Sequence, residues 1–352
     1  MPGRAESERE AVEIALLLEG VYQHYGFDFR QYAKASLRRR LWRRVHAEGL
    51  HTISGLQERV LHDRAAMERL LLDLSINVTS MFRDPGFFAS FRQHVVPSLR
   101  TYPFLRIWNA GCSTGEETYS LAILLREVGL YDRSRIYATD INEAVLASAA
   151  EGIYPLAKMQ EFTENYLAAG GSRSFSDYYR AAYGGVQLDR SLSDNIVFAA
   201  HNLVSDRSFN EFHVVVCRNV LIYFDRTLQE HVHRLFLDSL VPFGVLALGR
   251  KETLAHSGAG ERFDEDMVVR RREVHGARAQ LVLVAELAHR VAGVALQHPL
   301  EQRGLRAAGP VQDEQHRHGQ RWLEASQQPA GRVDAAPGAA DGDQPHRHGR
   351  FR

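Results

Sequence analysis

The chain carries only two cysteines, Cys112 and Cys217, in 352 residues. Two cysteines so far apart exclude a disulfide framework and supply no zinc-ligand spacing. Both read as small residues buried at strand ends, and no metal site is expected. Net charge is also missing: Lys+Arg 43 and Asp+Glu 43 cancel. No global attraction to nucleic acid follows, and local charge must decide that question. No apolar run approaches the roughly 18 residues of a membrane span. The polar start MPGRAESERE contains no signal-peptide core. A cytoplasmic protein without direct membrane insertion is therefore expected. Neither the GxGxxG fingerprint nor a Walker lysine occurs.

What is present is ordinary globular texture, with 45% hydrophobic and 24% charged residues, and enough chain for two domains. Residues 10–74 carry apolar positions at helical spacing, as in EAVEIALLLEGVYQHYG and ISGLQERVLHDRAAMERLLLDLSI. Residues 1–75 are expected to form a small all-α domain. From about Leu105 strands and helices alternate. LRIWNAG, RIYATD, NIVFAAHN, FHVVVCRN and GVLALG read as strands, with EETYSLAILLREVG, NEAVLASAAEG and RTLQEHVHRLFLDSLV as helices between them. That alternation predicts an α/β domain over residues 76–260, a parallel sheet with helices on both faces. The glycine- and aromatic-rich stretch 170–192 is a candidate inserted subdomain. From Ser257 the composition shifts abruptly, with no Ile, Lys, Tyr, Asn, Thr or Cys. Residues 261–352 are expected to be largely disordered. A shifted reading frame and a natural low-complexity tail both fit that composition. The HRHG repeats read as solvated tail before weak metal ligands.

Ligands of parallel sheets bind beyond the carboxyl ends of the strands. The first such end reads WNAGCSTGEETYSL, a glycine turn between strand and helix. Asp140, ending the second strand, stands where an acidic residue accepts both hydroxyls of a ribose. Its bland reading, a helix N-cap before NEAVLASAA, weighs equally until the turn is added. Glu116 and Glu117 open the helix after the turn, where a dinucleotide would place its pyrophosphate. Two carboxylates would repel it. Glutamate in a first helical turn also complements the helix dipole, worth ~0.3–1 kcal/mol, which explains one exposed glutamate. With no phosphate fingerprint, the combination points to a nucleoside carrying positive charge, such as S-adenosylmethionine.

Four segments then make the sequence similar to a known family. NVTSMFRDPGFF, WNAGCSTGEETYSLA, YATDINEAVLASAAEGIYP and FHVVVCRNVLIYFDRTLQE occur in the family's order, and the match runs from about Glu10 to Thr253. The chain resembles the CheR chemotaxis receptor-glutamate methyltransferases. The resemblance implies a Rossmann-like class I methyltransferase sheet behind the all-α domain, S-adenosylmethionine as donor and S-adenosylhomocysteine as product. It implies receptor glutamates as acceptors. By position, Asn77, Thr79 and Arg83 should border the cofactor with Gly111 of the turn. Glu117 should meet the methionine ammonium, Asp140 the ribose, and Asn202 and Leu203 the adenine. Arg218 and Asn219 should complete the pocket, and Tyr223 should face the methyl-transfer site. Arg83 and Tyr223 are the catalytic candidates; a surface ion pair and a core aromatic are their bland readings. The chain departs from the common pattern at His213, at Thr118 and at GRKETL. The resemblance also implies one or two closing strands, for which ERFDEDMVVRRREV and AQLVLVAEL are the only candidates.

A carboxylate acceptor, with a reference pKa of about 4.3, is already a nucleophile. Catalysis then reduces to alignment, desolvation and electrostatics. In KASLRRRLWRR, Leu37, Leu41 and Val45 recur every four residues, which leaves Lys34, Arg38, Arg39, Arg40, Arg43 and Arg44 as a basic face. A solvated face is the usual outcome, and phosphate binding is a second reading. The resemblance favours docking to acidic chemoreceptor cytoplasmic helices, with no nucleic acid as partner. The insert shows no clear glycine-spaced tether loop, which leans towards tether-independent docking. Two alternatives stay open: a methyltransferase for a small molecule or nucleic acid, and a non-catalytic cofactor-sensing or docking module.

Overall fold

The computed structural model describes residues 4–75, 79–182 and 185–254, together with the strands Val268–Val269 and Val282–Glu286. The expected disordered tail, those two strands apart, lies outside the described residues.

Four helices open the chain: α1 (Arg4–Tyr25), α2 (Lys34–Ala47), α3 (Ile53–His62) and α4 (Arg64–Leu74). Their starts are written locally. Thr52 caps α3 by accepting from Gly55 N at 3.0 Å, and Asp63 caps α4 by accepting from Ala65 N at 2.9 Å. Their apolar stripes meet in one core around Leu17, Val21, Leu37, Leu41, Val45, Leu56 and Leu70. Two short helices follow, α5 (Pro85–Ser90) and α6 (Val96–Leu99), joined through a π-helical turn at Phe91–Val95.

The α/β part then runs β1 (Leu105–Ala110), α7 (Glu116–Glu127), β2 (Ser134–Asp140), α8 (Glu143–Glu151), β3 (Ile153–Pro155) and α9 (Met159–Ala168). It continues through β4 (Tyr179–Ala182), β5 (Gly185–Leu188), β6 (Ile196–Ala200), β7 (Phe212–Cys217), α10 (Arg226–Ser239) and β8 (Leu240–Leu248). The segments Val268–Val269 and Val282–Glu286 are β9 and β10. The main sheet has the order β6-β2-β1-β7-β8-β10-β9. Its first five members are parallel, and β10 pairs antiparallel with both β8 and β9. Both candidate closing segments thus contribute a strand. The run VVVC of β7 is buried on both faces, as a central parallel strand must be. Strand order reverses between β1 and β7. Ligands of such sheets sit at that switch point, outside the carboxyl ends of the strands.

A second sheet, β3-β5-β4, is antiparallel. Its third strand comes from outside the 170–192 stretch, because Ile153–Pro155 pairs back onto β5. Three residues ending in proline carry no readable strand period, so the sequence could not announce this partner. Among the described residues no helix is long and apolar enough to cross a membrane.

One buried group sets a pH dependence. His233 of α10 is 2% exposed, and neither ring nitrogen has a hydrogen-bond partner. Burial alone pushes its imidazole down to about 4. The unfolded ring titrates near 6.5, so its contribution is complete above that pH and is lost as pH falls towards 4. The loss amounts to about 3 kcal/mol at most. His233→Leu should therefore flatten the acid side of the stability profile. Urea unfolding between pH 7 and pH 4.5 measures this, and equal slopes for native and variant would refute it.

Candidate functional site

The end of β1 creates the site. At Gly111 the backbone turns with φ at 76°, and a Cβ there would lie 2.5 Å from Val220 Cγ2. Only glycine meets both demands. The turn is tied down by Gly111 N and Cys112 N, which both donate to Thr139 O, at 2.8 and 2.9 Å. Ser113 is held at φ 52°, its N–H donating to Asp140 Oδ2 at 2.9 Å. Gly115, at φ 90°, then starts α7.

The two glutamates of α7 part company. Glu116 is 3% exposed and accepts from Thr114 Oγ1 at 2.6 Å. Burial pushes its carboxyl up, against that hydrogen bond. Glu117 faces the cleft. Its Oε1 accepts from Asn109 Nδ2 at 2.9 Å, and its Oε2 accepts from Arg218 at 2.6 Å. Asn109 is itself oriented by Thr118 Oγ1, which donates to it at 2.6 Å. Thr118, a departure from the family pattern, thus orients the residue that orients Glu117.

Arg218 follows β7, and its side chain is 2% exposed. It reaches Glu117 with one terminal nitrogen and Asp84 with the other, the latter at 2.7 Å. Its guanidinium lies 4.1 Å from the Phe87 ring centroid. An arginine committed to two carboxylates is not available to a phosphate.

Asp140 is buried at the end of β2. It accepts from Ser113 N and from Asn142 N, the latter at 3.1 Å. Burial raises its pKa, and those backbone donors oppose the rise. The N-cap of α8 is Asn142, which accepts from Ala144 N at 3.0 Å. The bland reading of Asp140 as that cap falls away.

One cleft of about 930 Å³, its open mouth included, collects these groups. Gly111 and Glu117 come from β1 and α7, Asp140 from β2, and Asn202 and Leu203 from the end of β6. Arg218, Asn219 and Tyr223 come from the loop after β7, and Thr79 and Arg83 from the segment before α5. Asn77 lies outside the described residues. The cleft also contains Tyr32, which sequence reasoning missed. Tyr32 arrives because the loop before α2 pairs with the loop after β7. Ala33 N donates to Tyr223 O at 2.8 Å, and Asp225 N donates to Gln31 O at 2.9 Å. FDFRQYAK falls in the stretch read as helical and carries no signal of this pairing; in the structure α2 begins only at Lys34.

Glu252, in the departing segment GRKETL, was also missed. Its buried carboxylate accepts four backbone N–H groups: Gly249 at 2.6 Å, Asn219 at 3.0 Å, and Val220 and Leu221 at 2.8 Å. It thereby holds Asn219 at φ 60°.

The basic face needs one correction. Arg40 does not belong to it: at 4% exposure it points inward, donating to Leu74 O at 2.6 Å and to Ser36 Oγ at 2.8 Å. Its guanidinium stands 4.7 Å from the Tyr223 ring centroid. It shares the buried face with Leu37, three residues earlier, so helical spacing contained the signal. Lys34, Arg38, Arg39 and Arg43 are exposed. Arg38 pairs with Glu10 at 2.6 Å and Arg43 with Asp73 at 2.8 Å. The half-buried Arg44 also pairs with Asp73, and with Glu48 at 3.2 Å. The face is less charged than its arginine count suggests.

Removing Glu252 would orphan four backbone donors. Glu252→Ala should cost about 3 kcal/mol or more in denaturant unfolding. A variant as stable as the native protein would show that water replaces the carboxylate at no cost.

Residues 77–267 match the family described as CheR methyltransferase, SAM binding domain, and residues 13–75 match CheR methyltransferase, all-alpha domain. A Pseudomonas putida protein provisionally named methyltransferase Cher3 is 51% identical, over 73% of this chain and 95% of its own length. The chemotaxis protein methyltransferase of Salmonella typhimurium is 31% identical, over 67% of this chain and 82% of that protein. Its Escherichia coli namesake is 30% identical with the same coverage.

Proposed function

This chain belongs to the CheR methyltransferase family, and we propose that it methylates glutamate side chains on the cytoplasmic helices of chemoreceptors, giving glutamyl methyl esters. The family domain binds S-adenosylmethionine, and methyl transfer in chemotaxis is what its named relatives do. The observation that carries the reading is the charge arrangement of the cleft. Two carboxylates, Glu117 and Asp140, line it, and its buried arginine is already committed to Glu117 and Asp84. Such a site suits a cationic nucleoside and disfavours a pyrophosphate.

When bound, S-adenosylmethionine supplies a methyl group already activated on a sulfonium and leaves as S-adenosylhomocysteine. The chain's own residues do the rest. Glu117 takes the methionine ammonium, Asp140 the ribose hydroxyls, and Asn202 and Leu203 flank the adenine. Thr79, Gly111, Arg218 and Asn219 complete the walls. Arg83 orients the incoming glutamate carboxylate, which is ionised near neutral pH and needs no general base. Tyr223, backed by Arg40, lines the methyl path. The exposed Lys34, Arg38, Arg39 and Arg43 of α2 meet the acidic receptor helix, an attraction that salt weakens.

Labelled S-adenosylmethionine incubated with membranes containing the host's chemoreceptors tests the reaction. Label should enter a receptor-sized band and leave as volatile methanol in mild alkali; alkali-stable label would identify another acceptor chemistry. Arg83→Ala should lower transfer by about 100-fold with cofactor affinity largely retained, and normal turnover would remove its role. Asp140→Ala should weaken cofactor affinity by about tenfold or more. Unchanged affinity by calorimetry would count against the ribose assignment.

A further inference from the structure

The turn that carries Thr79 and Arg83 does not support itself. Phe82 stands at φ 50° and Asp84 at φ 57°, both in the left-handed region. Each such residue stores about 1–3 kcal/mol and persists only where its surroundings over-determine it. Met81 and Phe82 are fully buried, so the backbone groups there require partners. One partner is on α7: Phe82 N donates to Ser120 Oγ at 2.8 Å. Arg218 holds the far end of the turn, donating to Arg83 O at 3.2 Å and to Asp84 Oδ2 at 2.7 Å. The remaining partners come from α9 and the residue just before it. Asn165 Nδ2 donates to Met81 O at 3.1 Å and to Ser80 Oγ at 3.4 Å. Ser80 Oγ in turn donates to Glu161 Oε1 at 2.6 Å. Lys158 Nζ reaches Thr79 O at 3.5 Å. Glu161 and Asn165 are one helical turn apart and present both groups on one face. Behind them Tyr166 packs edge-on against Phe82, with ring centroids 5.2 Å apart.

This helix is no part of the main sheet's alternation. It lies between β3 and β4, two of the three strands of the inserted sheet. We propose that α9 sets the position of the Arg83 turn, with Glu161 and Asn165 as positioning residues that couple the inserted subdomain to the methyl-transfer site. The proposal rests on the role given to Arg83 above. The turn is closed by Arg83 N donating to Ser80 O at 3.3 Å. Ser80 is thus gripped by the insert on its side chain and by Arg83 on its carbonyl. Glu161 is exposed and Asn165 half-buried, so neither is a core-packing residue. Their loss should move the turn without unfolding the domain.

The test compares Glu161→Ala, Asn165→Ala and Glu161→Gln in the full chain. Four quantities are read: amide hydrogen exchange over residues 80–84, kcat and KM for methyl transfer, S-adenosylhomocysteine affinity by calorimetry, and the thermal midpoint. Each alanine variant should speed exchange at Phe82 and Arg83 by about fivefold, the worth of one net hydrogen bond. It should lower kcat by about tenfold through misplacement of Arg83, with cofactor affinity and midpoint near native. Glu161→Gln keeps an acceptor for Ser80 and should recover most of both. Native exchange and kcat in both alanine variants would overturn the proposal. So would a kcat loss matched by equal losses of affinity and midpoint, the mark of a merely structural role. Should an alanine variant not fold, Ser80→Ala removes the links of Ser80 Oγ to Glu161 and Asn165 from the turn side, leaving Asn165 on Met81 O, and must reproduce the faster exchange, or the proposal falls. Exchange needs no acceptor, so absence of receptor methylation by the native protein would count against the proposed function alone.

Discussion

Arg218 is the group on which the site depends. Its guanidinium joins Glu117, at the start of the first helix of the sheet, to Asp84, which precedes the sheet, while its own backbone follows β7. Three segments far apart in sequence thus share one buried cation. Such a group is weak grounds for stability, because desolvation offsets the attraction, but losing one member of it costs about 3–5 kcal/mol. The consequence for chemistry is larger. Glu117 is held in one orientation by Arg218 and Asn109 together, and both terminal nitrogens of the buried cation are engaged by carboxylates.

Backbone strain gathers around the same place. Among the described residues five non-glycine positions have positive φ, and four of them are Phe82, Asp84, Ser113 and Asn219. Ser113 and Asn219 line the cleft, and Phe82 and Asp84 flank Arg83, which also lines it. Each is held by a hydrogen bond or ion pair from a distant segment: Ser113 by Asp140, Asn219 by Glu252, Phe82 by Ser120 and Asp84 by Arg218. A loop free to relax would leave those conformations. Asp140 therefore serves twice, as a cleft carboxylate and as the acceptor that fixes the glycine turn, and burial raises its pKa while the backbone donors oppose the rise.

The helical part is not an appendage to this cleft. Tyr32 and Arg40 come from it, one lining the cleft and the other standing over the ring of Tyr223. Arg40 also donates to the carbonyl of Leu74, where α4 hands the chain on towards the cleft. The run RRRLWRR looked uniformly basic and exposed. Its spacing against Leu37 and Leu41 already put Arg40 on the inner face, yet a charge run invites the assumption that every member is solvated. For an arginine to sit inside, a carbonyl, a hydroxyl and an aromatic face must all be waiting. Ser36, one turn back on α2, supplies the hydroxyl, but the carbonyl and the aromatic face come from other elements.

Local order was legible because it is written in short-range chemistry. Apolar residues every three or four positions announced the helices, and β-branched runs between them announced parallel strands. Glycine, aspartate and glutamate at the strand ends pointed to a cationic nucleoside before any resemblance was drawn. The chain by itself thus determined the α/β class, the carboxyl-end location of the cleft, the glutamate pair Glu116–Glu117 and Asp140. Only the tertiary structure decided which partners each charged group meets. It turned Glu116 inward and Glu117 outward, released Asp140 from capping by assigning that task to Asn142, and brought Glu252 under the loop of Asn219. It also laid α9 against the turn of Arg83. The physical reason is the range of the interactions. Helix and strand periods are set by neighbours within a few residues, whereas a buried carboxylate or guanidinium can find its partner tens of residues away, or about a hundred, as Arg218 does with Glu117. That choice exists only once the fold has removed water from around the group and left the partner within reach.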